Sequence, residues 1–160
     1  MTRAALRLQH FAGRWRIARR IKDALGPDAQ FDGAANFAWE GVALLLTEAG
    51  QMRIGAQSFA ATRRYLWRQG AGSVIDVLFD DGRYFHSFDA AMPEPAAHHD
   101  CPPDVYDVGY DFTGLSDAAG PTGLSELTGS APAPQWHARW RVTGPRKDYV
   151  MTSTYTRILT

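Results

Sequence analysis

The chain has 160 residues, of which 45% are apolar and 12% aromatic, a composition that excludes a disordered chain and suits one globular domain with a substantial core. Its 17 Lys and Arg residues balance 17 Asp and Glu residues, so the net charge is zero and no overall field attracts nucleic acid. No segment approaches the roughly 18 consecutive apolar residues of a membrane-spanning helix. From the balanced charge and the lack of such a segment, we predict neither a nucleic-acid nor a membrane partner.

The cysteine content and the N-terminal residues indicate the compartment. Cys101 is the only cysteine, so no disulfide can form within the chain. Residues 1–11 lack the long apolar stretch of a signal peptide. Barring a trimmed leader, we expect one cytoplasmic domain over residues 1–160, and the sequence does not indicate its oligomeric state.

The first predicted strand alternates apolar and charged side chains, the period of a strand with one buried and one solvated face. Its apolar positions are Trp15, Ile17 and Ile21, and the charged positions between them include Arg14, Arg16 and Arg20. The basic stretch also contains Arg19 and Lys22. We interpret this stretch as a solvated strand face rather than as an anion-binding or membrane-binding patch.

Two further strands are predicted before residue 60. Residues 31–39 alternate in the same way. Residues 42–47 form a continuous apolar run, which favours a fully buried strand over a helix because the run is short and flanked by turn residues. The Glu-Ala-Gly-Gln sequence of residues 48–51 predicts the turn that ends it.

The strands at 59–68 and 73–79 surround a glycine-rich turn whose length decides which face is buried. If residues 69–72 form the loop, Arg64 faces Val77 and points into the interior. If an extra residue joins the turn, Tyr65 and Trp67 are interior instead. In either register the Arg63-Arg64 pair puts one guanidinium inward, and a buried guanidinium needs an acid or an anionic ligand group.

The Asp81-Gly82 pair predicts a two-residue type I′ hairpin, in which both central residues adopt positive φ. This turn pairs Phe79 with Tyr84, Val77 with His86 and Ile75 with Phe88. Since facing residues share a sheet face, His86 is predicted to point inward among these apolar and aromatic side chains.

The rest of the chain predicts a proline-rich loop, a surface excursion and three more strands. Residues 90–103 are interpreted as a loop or lid, and residues 114–134 as a flexible excursion. Strands are predicted at 105–112, 136–142 and 149–158. The pattern as a whole predicts an all-β fold, an antiparallel up-and-down β-barrel of about 8–9 strands, a size at which a closed barrel can hold one small ligand.

The Gly13-x-Trp15 motif at the head of the first strand resembles the motif that opens the barrel of lipocalins and their calycin relatives. In that superfamily an arginine of the last strand packs across the tryptophan, which implies this role for Arg157. More specifically, the chain resembles a bacterial family of uncharacterised lipocalin-like proteins along nearly its whole length. The segments that carry this resemblance are residues 11–15, 64–67, 79–86, 101–106 and 144–149. It implies the barrel fold and no particular activity.

We therefore expect a small-molecule-binding barrel with mostly apolar walls, a few polar anchors and a cavity on the order of a few hundred Å³. The ligand would be apolar or aromatic with an anionic or carbonyl group. The predicted ligand-binding residues are His86, Arg64, Tyr84, Phe88, Tyr106, Tyr149 and Cys101.

Three alternatives remain open. The first is a small enzyme in which His86 acts as acid or base. The second is a haem or metal protein, because an inward His86 could ligate haem, and His98, His99 and Cys101 are residue types that bind zinc. Adjacent histidines of an extended segment point to opposite sides, so we assign no metal ligands, leave the cofactor open and expect Cys101 to be a small buried residue. The third is an interaction role for exposed barrel edges.

Overall fold

The computed structural model describes residues 6–115 and 133–159. In these residues the chain forms one short 3-10 helix, Leu8–Phe11, and ten β-strands. The strands are β1 (Gly13–Asp23), β2 (Ala29–Glu40), β3 (Ala43–Ile54), β4 (Gln57–Gln69), β5 (Val74–Phe79), β6 (Tyr84–Asp89), β7 (Ala96–Cys101), β8 (Asp104–Asp111), β9 (Gln135–Gly144) and β10 (Lys147–Arg157). The all-β prediction is confirmed, and the count of ten strands corrects the predicted 8–9. In the described part of the chain, no helix is long and apolar enough to cross a membrane.

The strands form one antiparallel sheet in which chain neighbours other than β6 and β7 pair with each other and β1 pairs with β10. The sheet begins with β6 and ends with β7, and no backbone ladder joins these two fully described strands. Their side chains meet instead, with the rings of Phe85 and His99 5.3 Å apart between centroids. The predicted up-and-down barrel is thus confirmed, nearly closed, with a seam between β6 and β7.

Two segments predicted as turns or loops are strands. Residues 48–51 continue β3 to Ile54, because the alternation of buried positions at Leu44 and Leu46 carries on through Glu48. The same alternation leaves Val42 outside the strand and exposed, so the run at 42–47 is not fully buried. In the predicted loop or lid at 90–103, six residues form β7 and pair with β8, which supplies the missing strand.

The β4–β5 turn adopts the second of the two registers considered from the sequence. Tyr65 pairs with Phe79 and Trp67 with Val77, so Trp67 is buried and Arg64 lies exposed on the outer face. A hydrogen bond of 2.8 Å from the Gly70 amide to the Val74 carbonyl closes this turn. An odd shift of register exchanges the two faces of a strand, which is why the inward prediction for Arg64 is wrong.

The β5–β6 hairpin reaches the predicted pairing of His86 by a different route. Its loop has three residues rather than two, because the Phe79 amide bonds the Arg83 carbonyl at 2.8 Å, and Gly82 alone in this turn has positive φ. The predicted type I′ turn is therefore wrong. A β-bulge at Phe85 takes up the extra residue, so Val77 still pairs with His86.

The two ends of the barrel differ. The 3-10 helix covers one end, where its own Phe11 joins five other buried aromatic side chains, those of Trp15, Phe37, Trp67, Phe112 and Trp136. At the opposite end, called here the open end, the side chains are only half-buried, and they are Ile21, Met52, Tyr65, Phe79, Tyr106 and Tyr149. Any ligand entering along the barrel axis would therefore meet the open end first.

Candidate functional site

A buried ion cluster occupies the barrel interior around Glu48. The Glu48 Oε1 atom accepts hydrogen bonds from Arg19 Nη2 at 2.9 Å and from Arg63 Nε at 2.5 Å. Tyr155 donates its hydroxyl proton to Oε2 of the same carboxylate. Arg19 Nε donates to Ser153 Oγ at 2.7 Å. These five residues, which we call the Glu48 cluster, connect four strands.

The strand registers bring the cluster together. Glu48 on β3 faces Arg63 on β4 directly, and Arg19 on β1 faces Ser153 on β10. Facing residues share one side of a sheet, so all four side chains point into the barrel. Tyr155 lies two residues beyond Ser153 on the same face.

The cluster carries an excess of positive charge. Burial alone would raise the pKa of Glu48, but the charges of Arg63 and Arg19 and the Tyr155 hydrogen bond lower it to about 2. The carboxylate is therefore ionised at neutral pH and balances one of the two guanidinium groups. Burial, together with the nearby Glu48 charge, raises the pKa of Tyr155, which remains a neutral donor.

Arg63 is the cation of the cluster that solvent can reach. Its side chain is 27% exposed, against 3% for that of Arg19. The Arg63 Cζ atom lies 4.6 Å from the centroid of the Trp140 ring and 5.2 Å from that of Tyr65. Both distances are within the range of cation–π attraction, so two aromatic rings hold the guanidinium in place.

His86 forms a second buried polar group. Its Nε2 atom lies 2.7 Å from the hydroxyl oxygen of Tyr110, and the residue is 1% exposed. Burial, with a smaller effect from His99, lowers the pKa of His86 to about 3, so the ring is neutral at pH 7. Within the described residues, Nδ1 has no hydrogen-bond partner.

A small cavity of about 20 Å³ separates the two polar groups. The residues of its lining that carry polar atoms include Glu48, Arg63, His86, Tyr110, Trp136 and Tyr155. This space accommodates about one water molecule, far less than the few hundred Å³ expected from the sequence. The large rings of Tyr65, Trp67 and Trp140, which also line it, fill the volume that a smaller set of side chains would leave.

The structure brings together four of the predicted ligand-binding residues in the interior or at the open end. His86 and Phe88 are buried, and Tyr106 and Tyr149 are half-buried at the open end. Burial raises the pKa of Tyr149, so its hydroxyl keeps its proton at neutral pH. Near Tyr106, Lys147 Nζ bonds the carboxylate of Asp104 at 2.9 Å.

The other three predicted ligand-binding residues lie outside. Arg64 is on the outer face because of the β4–β5 register, and the three-residue hairpin loop turns Tyr84 outward, where it is 55% exposed. Cys101 ends β7 and is exposed, which corrects the expectation that it is a small buried residue.

The two adjacent histidines lie on opposite faces of β7. His98 is exposed and bonds Asp107 at 2.6 Å and Asp100 at 2.9 Å, and these carboxylates raise its pKa. His99 contacts the Phe85 ring inside the seam. Among the described residues, no group of three or more His, Cys, Asp or Glu side chains is arranged to hold a metal ion.

The residues highlighted by the Gly-x-Trp motif form a brace at the covered end. The Arg157 Cζ atom lies 4.0 Å from the Trp15 ring centroid. The two terminal nitrogens of Arg157 donate to the carbonyls of Ala12 at 2.6 Å and His10 at 2.7 Å. Gly13 has a φ of 110°, and a Cβ there would lie 3.0 Å from Arg157 Nη1.

Sequence reasoning missed most of the Glu48 cluster. Arg19 occupies an inward position of the alternation that contains Ile17 and Ile21, so a charged residue on an apolar face was the available signal. Glu48 was assigned to a turn, although its spacing from Leu44 and Leu46 continues a period of two. Tyr155 shows no pattern that separates it from an ordinary core tyrosine.

Two solved structures share this fold. The S-type phycobiliprotein lyase CPES from Guillardia theta superposes with a TM-score of 0.62 at 8% identity, covering 96% of this chain and 91% of the lyase. A protein of unknown function from the DUF3598 family of Nostoc punctiforme superposes with a TM-score of 0.54 at 11% identity, covering 98% of this chain and 51% of that protein. At these identities the likeness concerns the fold alone.

The sequence comparisons complete the assignment. No curated protein matches the sequence at a significant level. A family model matches residues 11–157, from Phe11 in the 3-10 helix to Arg157, the arginine that packs on Trp15. The chain therefore belongs to DUF6314, a family of unknown function.

Proposed function

We propose that the protein binds a small molecule at the open end of the barrel, through an aromatic or apolar body and an anionic group that pairs with Arg63. The observation that carries this proposal is the charge of the Glu48 cluster, in which two guanidinium groups share one carboxylate. Arg63 is the partly exposed member of the pair. An anion next to it would neutralise the remaining charge in a region of low dielectric constant.

The aromatic side chains above Arg63 suit the body of such a ligand. Tyr65, Phe79, Tyr106 and Tyr149 are half-buried and pack against the core from the open end. Each square ångström of apolar surface that a ligand buries here would contribute roughly 25 cal/mol. The edges of these rings carry partial positive charge, so they also orient an aromatic ligand through edge-to-face contacts.

The small volume of the interior limits how deeply the ligand enters. With about 20 Å³ free beside Arg63, the body of a ligand stays at the open end unless the aromatic rings move. A ligand body that enters further displaces Tyr65 and Trp140, whose rings flank the Arg63 guanidinium. Only protein molecules whose rings have moved aside can bind a ligand in this way. The apparent affinity is therefore reduced in proportion to the fraction of such molecules.

The fold supports a binding role without indicating the ligand. A calycin-like barrel shared with a phycobiliprotein lyase is compatible with small-molecule binding. The activity of that lyase is not transferred to this chain, because 8% identity supports no residue-level correspondence.

Two fluorescent dyes test the proposal, because they differ mainly in one charged group. Anilinonaphthalene sulfonate carries an anionic sulfonate on an aromatic body, and phenylnaphthylamine has the same body without it. We expect the sulfonate dye to bind the wild-type protein more tightly. The variant Arg63→Leu should lose about 10- to 100-fold in affinity for the sulfonate dye, the range for one charge-assisted hydrogen bond, and little for the neutral dye.

The neighbouring arginine supplies the matched control. Arg64→Leu removes the same charge one residue away, from the outer face, and should leave both affinities unchanged. Equal affinity of wild-type protein for the two dyes, or an equal loss in the Arg63 and Arg64 variants, would rule out the proposed anion site.

An enzyme using His86 is the second candidate, favoured by the 2.7 Å contact between His86 Nε2 and the Tyr110 hydroxyl. It requires a substrate that reaches His86 through the same small cavity. Saturating sulfonate dye would then block access to His86. Metabolites incubated with the protein, with and without the dye, are therefore compared by mass spectrometry, and a conversion that the dye suppresses would indicate turnover. The haem and metal alternatives are tested by the absorption spectrum and elemental analysis of freshly purified protein.

The proposal includes a single barrel domain working in the bacterial cytoplasm. An exposed free thiol at Cys101 supports a reducing compartment, because such thiols are kept reduced there. Fractionation of cells that express the native gene tests this location, and recovery of the protein from the cell envelope would contradict it.

A further inference from the structure

We propose that the cavity between Arg63 and His86 is a built oxygen subsite, which holds one water molecule in the free protein and one oxygen of the anionic group when ligand is bound. The ligand class is then an oxyanion, such as a carboxylate or sulfonate, and this deeper assignment rests on the function proposed above. Three nitrogen donors from different strands line the space: Arg63, His86 and Trp136.

Two of these donors are buried without a partner. His86 Nδ1 and Trp136 Nε1 make no hydrogen bond to any described residue, and each residue is 1% exposed. Native proteins leave few buried polar atoms unpaired, and each such atom calls for a water, a ligand or another explanation. Both residues line the same cavity, so a single occupant would explain both.

Hydrogen-bond counting identifies the polarity of His86 Nδ1. If Tyr110 donates to Nε2, Nδ1 carries the ring proton, and one donor remains unpaired. If Nε2 donates to Tyr110 instead, both the Nδ1 lone pair and the phenolic proton lack described partners. The first arrangement leaves fewer unpaired groups, so His86 presents an N–H donor.

The Trp136 indole is held in position by the Glu48 cluster. Its ring stacks on Tyr155 with centroids 3.9 Å apart and planes 3° from parallel. Tyr155 in turn donates to Glu48. The indole nitrogen is a donor only, so it too requires an acceptor.

The net positive charge of the cluster disfavours a cation at this position. Both carboxylate oxygens of Glu48 already accept hydrogen bonds, from Arg19 and Arg63 at Oε1 and from Tyr155 at Oε2. A cavity lined by Arg63 and by two neutral residues that each have an unpaired ring nitrogen favours an oxygen acceptor over an ammonium group. About 20 Å³ matches one oxygen atom or one water molecule.

The first test uses the free protein and needs no ligand. Nitrogen-15 NMR of imidazole-labelled protein should show a neutral His86 protonated at Nδ1. A cross-peak between the Trp136 indole proton and water should mark a resident water molecule. A ring protonated at Nε2, or an indole proton with no water contact, would overturn the subsite.

The second test measures the sulfonate dye on a variant that keeps the aromatic stack. Trp136→Phe removes the N–H group and should weaken binding of anilinonaphthalene sulfonate about threefold to tenfold, the effect of one neutral hydrogen bond. Affinity for phenylnaphthylamine should not change. Trp39→Phe removes an exposed indole N–H that does not line the cavity, so it is the matched control and should leave the ratio of the two affinities as in wild type.

The outcomes separate the two proposals. Loss of sulfonate affinity in Arg63→Leu but not in Trp136→Phe keeps the binding function and rejects the subsite. If the wild-type protein binds the two dyes with equal affinity, the proposed binding function and the oxyanion ligand are both wrong. The NMR results alone then decide whether the water site exists.

Discussion

Glu48 holds two arginines inside the barrel, and this makes it the residue on which the interior charge depends. Arg19 is nearly inaccessible, and its charge is balanced inside the protein rather than by solvent. Removing one partner of a buried ion pair leaves the other charged group uncompensated, which costs more than the pair itself contributes.

We predict that Glu48→Gln lowers the free energy of unfolding by about 3–5 kcal/mol, the range for breaking a buried ion pair. Urea unfolding followed by tryptophan fluorescence measures the change. Glu40→Gln, at an exposed position at the end of β2, is the control and should alter stability little. A loss below about 1 kcal/mol would mean that solvent balances the two guanidinium groups after all.

His86 gives the protein a pH dependence of its own. Its pKa is lowered by burial from 6.5 to about 3 in the folded state. Between these two pH values the unfolded chain therefore binds a proton at His86 that the folded chain does not bind. Stability is therefore complete above about pH 6.5 and falls as the pH drops toward 3.

The expected loss across this window is on the order of 4 kcal/mol, since one pKa unit corresponds to about 1.4 kcal/mol. His86→Phe should flatten the curve of unfolding free energy between pH 6.5 and 4.5, above the range in which Glu48 titrates. The exposed His137→Asn variant should retain the wild-type slope. Parallel curves for wild type and His86→Phe would contradict a neutral buried histidine.

At the scale of elements, β2 and β3 leave no room for a side chain where two glycines face each other. Gly33 pairs with Gly50, and a Cβ at Gly33 would lie 2.2 Å from the Ala49 carbonyl oxygen. This point of the barrel wall lies two residues along β3 from Glu48. Backbone atoms occupy the position of any added methyl group, so the strands would have to separate.

Gly33→Ala should accordingly destabilise the protein by about 1–3 kcal/mol, as expected for overpacking. Thermal unfolding followed by circular dichroism measures the effect. Gly109→Ala, in β8, meets no atom within 4 Å and serves as the control for adding a methyl group to a strand. Equal melting temperatures for the two variants would show that β2 and β3 have room to relax.

The hairpins illustrate why elements are easier to predict than their registers. The β5–β6 turn has one more residue than the Asp81-Gly82 pair suggested, and the bulge at Phe85 restores the pairing of His86. The inward position of His86 was therefore predicted correctly from a wrong turn. At β4–β5 no bulge compensates, and Arg64 and Tyr65 exchange faces.

At the scale of the molecule, the barrel is a single meander closed by side chains along one seam. Strands β6 and β7 are short, and ring contacts such as that of Phe85 with His99 replace a backbone ladder between them. β7 was not predicted because its sequence combines two histidines, an aspartate and flanking prolines. Pairing with β8 orders it despite its low strand propensity. The predicted excursion at 114–134 lies mostly outside the described residues.

Period-two alternation and turn residues were enough to determine the all-β meander and the barrel class, because these depend on local order along each strand. The inward direction of His86 was also predicted, but the bulge at Phe85 is what produces it. The Glu48 cluster, the outward position of Arg64 and the nearly filled interior depended on the tertiary structure. The cluster requires residues from β1, β3, β4 and β10 to come into contact. The strand registers and the interior volume depend on all the strands of the sheet together. A one-residue difference in a loop reverses a face, and no single segment of sequence specifies how large rings share the space inside.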